Sequence, residues 1–272
     1  MKRQKLSFAM RPFFWILLVG AGLLTACVAP PMQTGSRNVV TLEMDYSDFD
    51  QVEISDAFTV QIRQGDTYRV TLEVDEATRE YLDVEQRGDA LMIRTRPRRL
   101  FFTFWIFDAT QRAEITMPNL VGVTARDATH ITVSGFATDA AAYFAAADAS
   151  SLRGEIATGD TKITARDASH VELEGDRGDV EIEVGDASTV ALTGRGRNVT
   201  IYASDASHAD LDDFHVQDAD IEARDASDVT VYVTGRLDAE AADASHVTYY
   251  GAPTVGDTRT SDASSIEGRG GR

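Results

Sequence analysis

Between residues 39 and 96, apolar and polar positions alternate in short runs, VVTLEM, FTVQIR, YRVTLEV and DVEQRGDALMIRT, bounded by turn-forming residues. Alternation of period two puts every second side chain on one face of a strand, so residues 38–97 read as a small β module. Gln64-Gly65-Asp66 and Arg87-Gly88-Asp89 sit between such runs and predict hairpin turns. Residues 75–81 break the alternation and predict a single helical turn.

From 113 to 267 the alternation is locked into a repeat. Asp-Ala-Ser or Asp-Ala-Thr occurs at Asp127, Asp148, Asp167, Asp186, Asp205, Asp225, Asp243 and Asp262, at steps of 21, 19, 19, 19, 20, 18 and 19 residues. Each copy is followed by a strand pattern (Val171-x-Leu173, Val190-x-Leu192, Val229-x-Val231), a turn that often holds glycine, and a second strand pattern such as Val180-x-Ile182-x-Val184. A period near 20 residues with two short strands per unit predicts a β-solenoid of about eight 19-residue coils, with inward residues stacked into a continuous core. No helix of ordinary length is readable in this half, so the fold class is all-β.

A coil must bend at the same place in every layer. Asp and Ser can bond their own backbone two residues on and so close a turn, which explains the tripeptide without a ligand. Alanine between them favours φ below zero, so the corner is expected to use right-handed conformations. Small side chains let corners stack at about the 4.8 Å strand spacing. Serines there, such as Ser150 and Ser169, read as turn formers.

The N-terminus carries Lys2, Arg3, Lys5 and Arg11, then the apolar run FFWILLVGAGLL, then Leu24-Thr25-Ala26-Cys27. Residues 1–26 have the form of a secretory leader, too short for a span of about 20 apolar residues. Leu24-Thr25-Ala26-Cys27 resembles the bacterial lipobox, whose cysteine is acylated and anchors the protein; Cys27 is the only cysteine, which also rules out an intramolecular disulfide. The alternative is an ordinary signal peptide ending near a cysteine. Val28 stands where an aspartate would favour retention in the inner membrane, which points to the outer membrane. Residues 27–37, with two prolines and small polar residues, read as a tether. The stretch 98–112, with RRLFFTFWIF, is either an exposed patch or, on the reading preferred here, an apolar connector packed against the coils. Residues 268–272 (GRGGR) read as a flexible tail.

Removing the leader takes four cations and no acids, so a net charge of −18 becomes −22. Such a surface repels nucleic acid and anionic headgroups and argues against both as partners. Eight stacked aspartates repel one another, by somewhat under ~1 kcal/mol per exposed pair at the strand spacing. Arg126, Arg166 and Arg224 precede tripeptide aspartates and can offset part of this, and a cation ladder along the eight aspartates, holding Ca²⁺, could offset the rest. Histidine follows the tripeptide in alternate repeats, at His130, His170, His208 and His246. One coil per repeat sets these about 9.6 Å apart, too far to share a metal; they are a surface stripe that charges below about pH 6.5, or plain outward residues.

Phe49 to Glu76 (FDQVEISDAFTVQIRQGDTYRVTLEVDE), VEQRGDALMIRTR from Val84, AEITMPNLVGVTARDATHITVSG from Ala113 and VTYYGAPTVGDTRTSDASSIEG from Val247 together resemble the auto-transporter adhesin head GIN domain family of bacterial envelope proteins. The likeness covers nearly all of the mature chain. It departs at the corners, where the family usually has Ser-Gly-Ser or Ser-Gly-Ala. The resemblance implies a right-handed parallel β-helix-like fold and an extracytoplasmic location, and brings no catalytic motif.

The chain has no nucleophile elbow, phosphate loop or Cys/His ligand set, and each carboxylate candidate is one copy of a repeated turn. No catalytic residue and no cofactor are expected. The expectation is a non-enzymatic, lipid-anchored envelope protein presenting an acidic face to an envelope protein, a glycan or Ca²⁺. The alternatives are a periplasmic structural or sensing accessory and, from a different class, a β-helix carbohydrate-active enzyme.

Overall fold

The alternation becomes burial in the strand Val180–Val184, where Val180, Ile182 and Val184 are buried and Glu181 is exposed. This strand pairs in parallel with Thr161–Ala165 and Asn198–Ala203, so that Ile163, Ile182 and Ile201 lie in one column. All three are fully buried, each contributing roughly 1.5–3 kcal/mol of apolar burial. Repetition of that column gives the molecule its core. The computed structural model describes residues 38–96 and 110–270. The leader, Cys27, the tether and the apolar run 98–107 lie outside the described residues.

The described strands form two sheets, one of twelve and one of eleven. From Gly122–Ala125 onward the chain alternates between them: a strand of the eleven-stranded sheet, an Asp-Ala corner, a strand of the twelve-stranded sheet, and a turn back. Parallel coils of about 19 residues thus stack into a β-solenoid of about eight turns. The register is in step with the repeat, with His170 opposite Thr189 and Thr189 opposite His208.

The N-terminal strands share both sheets with the coils instead of standing apart from them. Gln51–Ile54 pairs in parallel with Gly122–Ala125, and Thr59–Gln64 with His130–Ala137. Between them Asp56 and Ala57 form a ninth corner, and the Ala57 N–H donates to the Asp127 carbonyl at 2.8 Å. This copy escapes the sequence reading because Phe58 follows it instead of Ser or Thr, and because it precedes Asp127 by 71 residues.

Antiparallel strands lie at that end of both sheets. Leu82–Arg87 and Ala90–Thr95 form the expected hairpin, with Gly88 at φ 60°. Glu76–Arg79 is the expected helical turn. The hairpin expected at 64–66 does not form: Gln111–Met117 lies between Thr59–Gln64 and Arg69–Asp75, parallel to the first and antiparallel to the second. Its inward Ala113 and Ile115 meet Val60 and Ile62 on one side and Leu72 and Val70 on the other. A direct hairpin would leave that apolar face without a neighbour. At the far end the inward positions opposite Ala239 and Ala241 are Thr258 and Thr260, so the core gives way to polar side chains.

Candidate functional site

The corner is built from left-handed conformations, which corrects the expectation of right-handed ones. In the nine corners among the described residues both Asp and Ala have positive φ; Asp205 has 56° and Ala206 57°. Asp tolerates that region, whereas alanine pays about 1–2 kcal/mol there. Pairing between coils repays it. Each corner Ala N–H from Ala57 to Ala244 donates to the Asp carbonyl of the next corner at 2.8–2.9 Å, so the ladder runs unbroken around the bend. The aspartates are equivalent corners in a line along one edge.

The corner serines and Thr129 point inward, and their role is not a local Asx-type or Ser-type turn alone. Ser150, Ser169, Ser188, Ser207, Ser227 and Ser245 are at most 3% exposed. Ser169 Oγ donates to the Ala146 carbonyl of the preceding coil at 2.8 Å, while the Ser169 N–H donates to Ser188 Oγ of the following coil at 3.0 Å. The buried serine hydroxyls therefore tie neighbouring coils together, whereas the Thr129 hydroxyl has no hydrogen-bond partner.

Outside, the carboxylates are set by their neighbours. Partial burial raises the Asp127 pKa, and the charges of Asp56 and Asp148 on the flanking corners raise it further, against the opposing effect of Arg126. Arg166 and Arg224 do not turn to the corner: Arg166 pairs with Glu183 at 2.9 Å and Arg224 with Glu222 at 2.7 Å. Among the described residues no three His, Cys, Asp or Glu side chains gather as a metal site. The stripe histidines do fall on alternate coils, with Ser151, Thr189 and Asp228 between them. His130 Nδ1 lies 3.0 Å from the Ala128 carbonyl and His170 Nε2 3.4 Å from Glu172.

A second acidic column was missed. At the opposite edge Asp160, Asp179 and Asp218 occupy equivalent places in successive coils, with Asn198 among them. Their carboxylates accept backbone N–H groups of the next coil: Asp179 N–H to Asp160 at 2.9 Å, and Arg236 N–H to Asp218 at 2.7 Å. Arg197 pairs with Asp179 at 2.6 Å and Asp160 at 3.2 Å, and Arg195 with Asp176 at 2.7 Å. These guanidinium hydrogen bonds hold the Asp176 and Asp179 carboxyls below the usual range. The 19-residue spacing of Asp160 and Asp179 was the available signal, broken by the asparagine.

Arg177, at the same edge, is 6% exposed. It donates to the Gly175 carbonyl at 2.6 Å, while its Nε and Nη2 have no acceptor. Burial pushes its pKa down to about 10. A cation whose folded pKa lies below its unfolded value opposes folding at neutral pH, and the penalty fades as pH rises through about 10. Arg177→Met, which keeps the buried stem and removes the charge, should therefore raise stability by about 1–2 kcal/mol. Thermal melting at neutral pH checks this, and an unchanged or lower melting temperature would show that the guanidinium is solvated.

Chemically the two edges are turn formers and cross-coil ties. Among the described residues the carboxyls with lowered pKa owe it chiefly to hydrogen bonds from basic neighbours, and the one raised carboxyl, Asp127, is a copy of the repeated corner. No curated protein matches the sequence. Residues 48–253 match the family described as "Putative auto-transporter adhesin, head GIN domain". A "putative lipid binding protein" from Parabacteroides distasonis is similar in structure, with a TM-score of 0.77 at 15% identity over 86% of this chain and 98% of that one. A "putative adhesin" from Parabacteroides merdae gives 0.75 at 12% identity over the same shares. At such identities the likeness is one of fold.

Proposed function

Because the chain belongs to the auto-transporter adhesin head GIN domain family, we propose that it is a non-enzymatic envelope protein, anchored in the outer membrane through lipid on Cys27, whose solenoid serves adhesion or ligand binding. The observation that carries this reading is the equivalence of the corners. Nine Asp-Ala pairs among the described residues share one backbone conformation, and the eight from Ala57 to Ala244 donate the same N–H to the next corner, so none is set apart as a reacting group is. What remains for function is an extended surface, and the net charge of the mature part, −22 from −18 less four leader cations, turns it away from nucleic acid and anionic lipid. The head-domain family supports an envelope address, and the lipobox-like Leu24-Thr25-Ala26-Cys27 supports the anchor.

Growth with labelled palmitate tests the anchor. The full chain should take up label and sediment with membranes, and Cys27→Ser should do neither. A serine variant that still carried label would end the lipoprotein reading.

A further inference from the structure

We propose that the outer face of the eleven-stranded sheet is an extended binding site for a neutral glycan, with Tyr202 at its centre and Tyr143 as a second platform. This rests on the reading of the chain as a binding protein. Tyr202 and Tyr143 are 47% and 42% exposed, and they are the aromatic residues among the exposed large hydrophobic side chains of the described chain. Both occupy outward positions of that one sheet, Tyr143 between buried Ala142 and Phe144 and Tyr202 between buried Ile201 and Ala203. In register they lie three strands apart and two positions along the strand. That is about 14 Å by about 7 Å, or roughly 16 Å between them on one face, the reach of a chain of several sugar rings.

Tyr202 is the shared wall of two hollows. One, of about 610 Å³, is bounded by Arg166, Glu183, Glu222 and Arg224. The other, of about 520 Å³, is bounded by Lys162, Glu181 and Thr200. The first exists because Gly185 and Ser204 fall at the positions where the flanking coils carry Arg166 and Arg224, as their matching backbone hydrogen bonds show. At that column, two coils without long side chains leave a trough with a tyrosine ring along its side and guanidinium groups at its ends.

The chemistry of the trough selects the class of ligand. A phenol ring offers an apolar face for the C–H face of a sugar, with a hydroxyl at its tip. Around it, carboxylates accept hydroxyl protons and fixed cations donate. Those cations are already engaged: Lys162 with Glu181 at 2.8 Å and Glu183 at 2.6 Å, Arg166 with Glu183, and Arg224 with Glu222. Asp186, Asp205 and Asp225 add further negative charge to the first hollow. The surface therefore has donors in place without net positive charge, which suits a neutral glycan and repels uronic acids and sulfated sugars.

The full chain in detergent, applied to an array of neutral and uronic-acid glycans, tests this, with affinities for the best ligand then measured by calorimetry. A neutral glycan should bind, and uronic-acid chains should not. Tyr202→Ala should weaken binding about tenfold or more and Tyr143→Ala severalfold, with melting temperatures unchanged because both rings are exposed. Absence of any neutral ligand, preference for uronic acids, or a Tyr202→Ala variant that binds like the parent would overturn the proposal. A cell-adhesion assay separates this from the broader reading. Adhesion that survives Tyr202→Ala leaves the protein a binding protein and removes the trough, whereas glycan binding without adhesion keeps the trough and removes the adhesive role.

Discussion

Replacing Ala206 with proline should destabilise the protein by more than about 3 kcal/mol, whereas replacing it with glycine should stabilise it slightly. Both expectations follow from φ of 57° at this residue and 56° at Asp205. Proline fixes φ near −65°, pushes the preceding residue toward extended conformations, and removes the N–H that donates to the Asp225 carbonyl at 2.8 Å. All three conflict with the corner. Glycine relieves about 1–2 kcal/mol of left-handed strain and loses about 0.4–1 kcal/mol through the greater freedom of the unfolded chain, for a net gain of about 0–1.6 kcal/mol. A right-handed corner would reverse the sign for glycine. Equilibrium urea unfolding of the two variants decides it: a glycine variant less stable than the parent would mean that the corner does not hold alanine in the left-handed region.

That sign was the part of the corner the sequence did not reveal to residue-level reasoning. The spacing of Asp127 to Asp262 located every Asp-Ala corner between them, and alternation such as Val180-x-Ile182-x-Val184 identified the inward side chains correctly. Strand periodicity reports only which face a side chain occupies, and it carries that information wherever one face is buried. Backbone handedness is a different quantity. Alanine alone argues for negative φ, and the opposing signal lay in the family pattern, where glycine stands in the middle of the tripeptide. An alanine held at positive φ makes sense only once its N–H is seen to continue the ladder between coils.

The candidate surfaces divide in the same way. The aspartate edge was legible because it repeats without interruption, while the second acidic column was hidden by Asn198. Gln111–Met117, which begins inside the expected connector, was not legible in its place, because its partners are far away in sequence and chosen by matching apolar faces. Tyr202 gave no sign in one dimension. Its trough depends on Gly185 and Ser204 coming level with Arg166 and Arg224, a lateral relation between coils that no single stretch contains.

The other large effect is expected at Phe214, where truncation to alanine should cost about 3–5 kcal/mol. The coil that starts at Asp205 takes 20 residues to reach Asp225, and the register shifts between Leu211 and His215. Phe214 lies within that irregularity and is fully buried. Its ring fills the space over Gly196, where any Cβ would come within 2.8 Å of ring carbons, and the Arg177 guanidinium lies 5.9 Å from the ring centroid. Gly196, Phe214 and Arg177 thus fill one region of the core, the first by having no side chain and the last by its stem. Removing the ring leaves a cavity next to a buried charge, which water can then reach. The two residues should therefore be coupled: the gain expected from Arg177→Met should shrink or reverse in the Phe214→Ala background, because a hydrated guanidinium no longer opposes folding. Thermal melts of the two single variants and the double variant close the cycle. Strict additivity would mean that the ring does not shield Arg177, and that the low pKa of that guanidinium has to be traced to other walls of its site.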